Sequence, residues 1–321
     1  MNQTLTIGSV GTSSIMKLIQ EAISLTDNLE TKVIYSRNFE RGCNFAKSVG
    51  VSESCCDYAE MLQRKDIDII YIASPNSFHF QQALDALEHK KHVIIEKPAA
   101  VTAQEIRTLY DTARKNDVFF FEAITTLFMP NYIEYKEKLP QIGTLKEAHI
   151  NYGQYSSKYD AYLNGENPNI FNPQLQGGAL NDMGIYCIHV AVDLFGDPEN
   201  VQYTAELGPN GADVCGNLTL TYPTLTCQIE TSKKHAIHSG CFLTGENGSI
   251  SEEGALNDFA NCELELNGLK TPIQSQPSGN RMIYEMAAFR DAILTHNTDF
   301  FEKMTKQSLI AASILERAHN Q

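Results

Sequence analysis

Thr4-Leu5-Thr6-Ile7-Gly8-Ser9-Val10-Gly11-Thr12-Ser13-Ser14-Ile15-Met16 is the stretch on which the reading of this chain turns. Its first seven residues are rich in β-formers, a glycine and three hydroxyl-bearing residues follow, and from about Ile15 to Leu25 the pattern is helical. The same alternation continues outward. Strand candidates Thr31–Tyr35, Ile67–Ala73, His92–Glu96 and Val118–Phe121 are separated by helical stretches at Phe39–Val49 and Phe78–Glu88. A further helix opens at Thr102 with Glu105 three residues on, a capping-box pattern. Ile67–Ala73 is continuously apolar, as expected for a strand buried on both faces of a parallel sheet. Strands alternating with helices imply βαβ units with right-handed crossovers.

Beyond about Glu122 the rhythm changes. Gly178 to Phe195 reads as one helix, and strand-like runs then follow in succession: Val201–Leu207, Val214–Tyr222, Thr226–Thr231, Ile237–Leu243 and Cys262–Leu266. Pro223, Gly208-Pro209-Asn210-Gly211 and the Gly245 to Gly248 segment punctuate them, which predicts a mostly antiparallel sheet joined by turns. Helical segments Arg281 to His296 and Met304 to His319 close the chain. The expected fold class is α/β: a doubly wound parallel sheet over residues 1–122, then an α+β domain over 123–321 with a large, mostly antiparallel open sheet. The closing helices, 281–319, are free to pack back on the first domain. Alternating apolar positions at Leu218, Leu220, Tyr222, Cys227 and Ile229 leave a sheet face that needs cover.

At ~150 residues per domain, 321 residues suit two domains. Hydrophobic residues make up 42% and charged residues 20%, a balance that supports packed cores and excludes disorder as the main state. The net charge of −14 argues against nucleic acid as a partner, because phosphate contact needs clustered cations. No apolar run approaches the ~20 residues that span a bilayer, so no membrane partner is expected. Met1 to Ser14 has no basic residue and no long apolar run, unlike a secretory signal. The eight cysteines form no C-x-x-C pair and read as reduced thiols in a cytoplasmic protein. No metal site is expected, since the nine histidines show no paired spacing beside a cysteine pair.

The turn Gly11-Thr12-Ser13-Ser14-Ile15 sits where a dinucleotide-binding fingerprint, G-x-G-x-x-G/A, would stand. Only its first glycine is present; Ser13 replaces the second and Met16 the third. The context of strand, small-residue turn and helix N-terminus suits a phosphate. The alternative is an ordinary βα turn. The second strand ends at Tyr35-Ser36-Arg37-Asn38. A hydroxyl and a guanidinium there suit a 2′-phosphate, with Arg41 close in sequence, where an NAD-preferring site would carry Asp or Glu. The expected cofactor is therefore NADP(H), with NAD(H) admitted as a second choice; a solvated surface role for Arg37 is the alternative.

Ala73-Ser74-Pro75-Asn76 with His79, then Glu96-Lys97-Pro98, Glu122-Ala123, Gly177-Gly178-Ala179-Leu180-Asn181-Asp182-Met183-Gly184-Ile185-Tyr186, and Gly245-Glu246-Asn247-Gly248 complete a recognisable series. Together they resemble the Gfo/Idh/MocA oxidoreductase family over nearly the whole chain. The resemblance implies a Rossmann domain followed by a domain with a large open sheet. It implies a catalytic lysine at Lys97, an aspartate at Asp182 and a proton-transfer residue at Tyr186. Many members carry His at that last position; Tyr resembles the branch containing glucose–fructose oxidoreductase and dimeric dihydrodiol dehydrogenase. Leu127-Phe128-Met129-Pro130 departs from an Arg-Phe pair frequent among relatives. The resemblance also implies a homodimer, or a dimer of dimers, packed through the C-terminal sheet.

The residue types fit that chemistry. Lys97 follows a strand's carboxyl end, where open α/β sheets place their ligand crevices. Asp182 and Tyr186 are four apart, on one face of a regular helix. A phenol ordinarily titrates near ~10, and a nearby ammonium favours its ionised form. The expected reaction moves a hydride between nicotinamide C4 and a carbinol carbon of a sugar, polyol or diol, with Tyr186 moving the hydroxyl proton. Ser74, Pro75, Asn76, His79, Glu96 and Lys97 are expected along the cofactor, and Tyr155, Phe171 and Asn172 along the substrate. The bland readings are a solvated strand-end lysine, a core tyrosine, a helix-start histidine and a helix N-terminal aspartate. A non-catalytic dinucleotide-binding regulator of the same fold is the alternative function. A redox-assisted glycosidase with bound NAD is disfavoured by Ser36 and Arg37.

Overall fold

A computed structural model describes residues 3–275 and 279–321. The chain divides into two compact units: Met1–Ala123 with Gly279–Leu309, and Ile124–Ser278 with Ile310–Gln321.

The first unit is built on six parallel strands: β1 (Leu5–Val10), β2 (Leu29–Tyr35), β3 (Glu53–Cys55), β4 (Ile69–Ile72), β5 (His92–Glu96) and β6 (Phe120–Ala123), in the order β3-β2-β1-β4-β5-β6. The short β3 has no clear signal in the sequence. β4 is Ile-Ile-Tyr-Ile and wholly buried, which is why it carries no polar alternation. The helices are α1 (Ile15–Leu25), α2 (Phe39–Ser48), α3 (Tyr58–Gln63), α4 (His79–Glu88) and α5 (Ala103–Asn116). The Thr102 hydroxyl accepts from Glu105 N at 3.2 Å, and the Glu105 carboxylate in turn accepts from Val101 N at 3.3 Å, so the expected cap forms with its return bond one residue early. Strand order reverses between β1 and β4, and this opens a crevice at their carboxyl ends. Residues of the closing segment belong to this unit's core: Phe289 stacks on Phe121 with ring centroids 4.8 Å apart, and Phe301 stacks on Phe119 at 4.9 Å.

The second unit carries α6 (Pro130–Lys138), α7 (Tyr159–Leu163) and α8 (Ile185–Phe195) with an eight-stranded sheet. Its strands are β7 (Leu145–Gly153), β8 (Asn200–Leu207), β9 (Asp213–Thr221), β10 (Thr226–Ser232), β11 (Gly240–Gly245), β12 (Gly248–Glu253), β13 (Cys262–Leu266) and β14 (Leu269–Ile273). The order is β14-β13-β12-β11-β7-β10-β9-β8, antiparallel except for the parallel pair β7 and β10. β7, β12 and β14 are not evident in the sequence; β7 (LKEAHINYG) mixes charge into a strand whose burial alternates only from Ala148 onward. Leu218, Leu220, Cys227 and Ile229 all lie on the buried face, where α6 and α8 pack against the sheet. The opposite face is polar: Gln202, Thr204, Asn217, Gln228, His149 and Glu147 are exposed on it. The apolar alternation is therefore satisfied within the chain.

One expected helix is two elements. Leu180–Gly184 is a wide π-type turn and regular helix begins at Ile185. The cause lies in its anchoring. Leu180 N donates to the buried carboxylate of Asp213 at 2.7 Å, and Ala179 O accepts from the Thr231 hydroxyl at 3.1 Å. Gly178, at φ +147°, passes so close to Asp213 that a Cβ there would overlap its carboxylate oxygen. Asp182 and Tyr186 thus straddle the junction between wide turn and helix, and the four-residue spacing alone does not set a common face.

Candidate active site

In the first unit, the Gly11 turn has the geometry of an anion cradle. Gly11 has φ +117°, and a Cβ there would lie 2.6 Å from Ala73 O, so only glycine lets the turn approach the loop after β4. Helix α1 starts at Ile15 with no side-chain cap and no acid in its first turn, so its dipole and N–H groups remain uncountered by its own side chains. Ser13 and Ser14 are exposed, Thr12 and Ile15 half-buried. Met16, in the place of the third glycine, is fully buried beneath the helix and leaves the turn's outer surface clear.

At the end of β2 the Ser36 hydroxyl accepts from Asn38 N at 3.3 Å. The Arg37 guanidinium is exposed and lies 5.1 Å over the ring of Phe78, and Arg41 donates to Thr12 O at 3.4 Å. Arg41 therefore stands beside the glycine turn and Arg37 over the loop after β4, in a chain of strongly negative net charge. In the sequence Phe78 is no more than a helix-start residue; its exposure beside Arg37 is visible in the structure alone.

The loops after β4 and β5 are tied together from within. Ser74 donates its hydroxyl hydrogen to Gln82 Oε1 at 2.7 Å, and Asn76 opens a single 3₁₀ turn after Pro75. His79 is buried, with its ring nitrogens each 2.8 Å from a backbone carbonyl, Pro98 O and Ser74 O. Burial lowers its pKa against the pull of those two carbonyls. Both ring nitrogens face backbone carbonyls, and the one that carries the hydrogen donates, so His79 ties the two loops together. Glu96 accepts from the Tyr71 hydroxyl at 2.8 Å; burial raises its pKa, and the Lys97 ammonium counters part of that rise. The buried Glu122 carboxylate accepts from Ala99 N at 2.9 Å, which holds the segment just past Lys97, and the Lys97–Pro98 peptide is cis. Lys97 itself is half-buried at the end of β5.

In the second unit Asp182 is ion-paired with Lys233, a residue the sequence does not single out. The lysine side chain is almost wholly buried while the Asp182 side chain is 34% exposed. The available signal is positional: Cys227, Ile229 and Thr231 face inward along β10, and Lys233 continues the same alternation one step past the strand. The Lys233 ammonium lies 5.1 Å from the ring centroid of Phe171. Phe171 is fully buried among Tyr159, Tyr162 and Val214, so it is packing beneath this pair and not a cleft wall. Tyr155 is half exposed and donates to Asp160 at 2.6 Å; Asn172 accepts from Gln174 N at 3.0 Å and shapes the turn there. Tyr186 is half-buried, its ring edge-on to Tyr152 at 5.7 Å. Cys187 next to it is buried, with its thiol pushed well above the usual range.

Among the described residues no group of three or more His, Cys, Asp or Glu could hold a metal, and no helix is long and apolar enough to cross a membrane. A parallel sheet of this order, with a glycine turn at the point where strand order reverses, defines a dinucleotide-binding class of protein.

Residues 5–123 match GFO_IDH_MocA, described as an oxidoreductase family with an NAD-binding Rossmann fold, and residues 140–251 match the GFO/IDH/MocA C-terminal domain. The chain is 33% identical over 318 residues to scyllo-inositol 2-dehydrogenase (NADP(+)) IolU of Bacillus subtilis (strain 168), covering 97% of this chain and 95% of that one. It is 32% identical to trans-1,2-dihydrobenzene-1,2-diol dehydrogenase of Xenopus tropicalis, covering 90% and 88%. Among solved structures, KijD10, a 3-ketoreductase from Actinomadura kijaniata in complex with NADP and TDP-benzene, shares the fold with a TM-score of 0.89 at 22% identity, covering 99% and 98%. The chain belongs to the Gfo/Idh/MocA oxidoreductase family.

Proposed function

We propose that this chain is an NADP(H)-dependent dehydrogenase or reductase acting on a carbinol or carbonyl carbon of a sugar, polyol or diol. The observation that carries the reading is the cradle at the start of α1: Gly11 held under Ala73 O, an uncapped helix N-terminus and the Arg41 guanidinium alongside, with Arg37 over Phe78 in the loop after β4. That donor set fits a dinucleotide with an added phosphate. When bound, NADP supplies the hydride acceptor or donor at its nicotinamide C4.

The chain's own residues divide the remaining work. Gly11, Thr12, Ser13, Ser14 and Ile15 hold the pyrophosphate, while Ser36 and Arg37, with Arg41, take the 2′-phosphate. Ser74, Pro75, Asn76, Glu96 and Lys97 border the remainder of the cofactor, and His79 keeps their loops in place. In the oxidative direction the substrate's carbinol C–H bond breaks with its electron pair leaving as hydride. The hydroxyl proton passes to the Tyr186 oxygen and the carbonyl forms; reduction runs the same steps backward. Lys97 supplies a positive charge at the carboxyl end of β5. Asp182 accepts a hydrogen bond from a substrate hydroxyl. The polyol and diol named for the two relatives support this substrate class.

A homodimer or dimer of dimers through the polar face of the second unit's sheet, working in the cytoplasm, completes the reading; light scattering at micromolar protein tests the assembly. The activity is tested by following NADPH formation from NADP+ with scyllo-inositol, other cyclic polyols and trans-1,2-dihydrobenzene-1,2-diol. Turnover of at least one, slowed by deuterium at the carbinol carbon, is expected. No turnover across the panel contradicts the substrate class.

A further inference from the structure

Lys233 lies 1% exposed in the second unit, a position an ammonium occupies only when it is paired, because leaving water costs heavily otherwise. Its partner is Asp182, on the wide turn that precedes α8. The lysine's backbone is fixed as well: its N–H donates to Val214 O at 2.8 Å, and its carbonyl accepts from Ser156 N at 3.0 Å. The pair therefore has one end locked in the unit and the other, Asp182, one-third exposed.

We propose that Lys233 is a positioning residue for Asp182. It holds the carboxylate ionised and in one orientation, so that Asp182 offers an acceptor to a substrate hydroxyl at a fixed place. An ionised carboxylate only accepts hydrogen bonds, so this arrangement leaves proton transfer to another group. The inference rests on the role given to Asp182 under the proposed function. It assigns Lys233 an effect on the reaction without contact to substrate or cofactor.

The test is a double-mutant cycle on the full chain, with scyllo-inositol and trans-1,2-dihydrobenzene-1,2-diol as probe substrates and NADP+ as cofactor. Lys233→Met, Asp182→Asn, the double variant and Lys233→Arg are compared with the parent chain. A misplaced group costs up to about 100-fold, so Lys233→Met is expected to lower kcat/KM by about 10- to 100-fold. Its division between kcat and KM should match that of Asp182→Asn. The double variant should be no worse than Asp182→Asn alone, and Lys233→Arg should recover most of the loss. NADPH affinity, read by fluorescence, should be unchanged in all four. Asp182→Asn strands a buried charge and should melt lower than the double variant, which removes both charges; this keeps the cycle readable if one single variant folds poorly.

Losses that multiply in the double variant, or a folded Lys233→Met within about twofold of the parent, would overturn the inference. Tyr186→Phe run in parallel separates the two failures. Full turnover in that variant sinks the reading of the site, whereas its loss alongside an unaffected Lys233→Met sinks only the role of Lys233. No turnover of either probe by the parent chain overturns the substrate class, and this inference with it.

Discussion

The guanidinium of Arg37 lies 5.1 Å over the ring of Phe78, which joins the end of β2 to the loop after β4. A cation over an exposed ring is worth ~0.5–1 kcal/mol, enough to bias Arg37 over the loop after β4 before any ligand arrives. Phe78→Ala should therefore weaken NADPH binding by about 2- to 5-fold and leave NADH binding alone. Arg37→Ala should cost NADPH tenfold or more, as the loss of a charge-assisted bond at about 2 kcal/mol implies. Paired fluorescence titrations check both. Equal losses for the two nucleotides would mean that these residues serve the common part of the cofactor.

Gly11 admits no side chain. With φ +117° and Ala73 O only 2.6 Å from where a Cβ would stand, Gly11→Ala must push the turn away from β4. We expect NADPH and NADH binding to fall together by about 100-fold, since the displacement moves the pyrophosphate donors common to both. Isothermal titration calorimetry reads the loss; circular dichroism confirms that the fold persists.

Asp213 gathers the second unit's wide turn. Its buried carboxylate accepts from Leu180 N and from the Tyr203 hydroxyl, each at 2.7 Å. Burial and that carboxylate together push the Tyr203 phenol far above its usual range. Both donors reach the same oxygen, Oδ2, so Asp213→Asn keeps the shape and an acceptor for each but loses the charge that strengthens both bonds. A destabilisation of about 1–3 kcal/mol is expected in urea unfolding, with lower turnover because the turn carries Asp182.

His92 gives a pH signature in stability. Its Nδ1 accepts from Phe119 N at 3.0 Å, and burial lowers the ring's pKa from 6.5 to about 4. The unfolded chain protonates near the ordinary value while the folded chain stays neutral, so this group's contribution is complete above pH ~6.5 and is lost as pH falls toward ~4. The full shift is worth at most about 3 kcal/mol, less screening at its partly exposed edge. His92→Asn preserves an acceptor without the titration. Its melting temperature should fall less than the parent's between pH 7 and pH 4.5; parallel declines would remove His92 as the cause.

The parallel half is legible in the sequence because its strands are buried runs punctuated by helices with clear starts. Helix α1 over Ile15–Leu25 and strand β5 over His92–Glu96 fall where the pattern puts them. β7 is hidden because charged Lys146 and Glu147 interrupt its start while its neighbours on both sides come from much later in the chain. The wide turn at Leu180–Gly184 is hidden because a helix-like pattern does not reveal that Asp213, 33 residues away, holds Leu180 N. The motif residues Gly11, Lys97, Asp182 and Tyr186 are legible as residue types in order. Phe78 and Lys233 are not, since a stacking ring and a buried ammonium become meaningful only beside Arg37 and Asp182. His79 and Phe171 are legible as notable residues but not as internal ties, because their partners are backbone carbonyls and neighbouring rings.

Tyr186 is the residue on which the proposed chemistry stands, as the group that moves the proton in an NADP-dependent oxidation at a carbinol carbon. Steady-state turnover of Tyr186→Phe, with NADPH affinity titrated on the same preparation, decides its role. General acid–base groups contribute about 100- to 10,000-fold, so we expect kcat to fall by at least 100-fold with NADPH affinity unchanged. Turnover at the parent rate with intact cofactor binding would take Tyr186 out of the reaction.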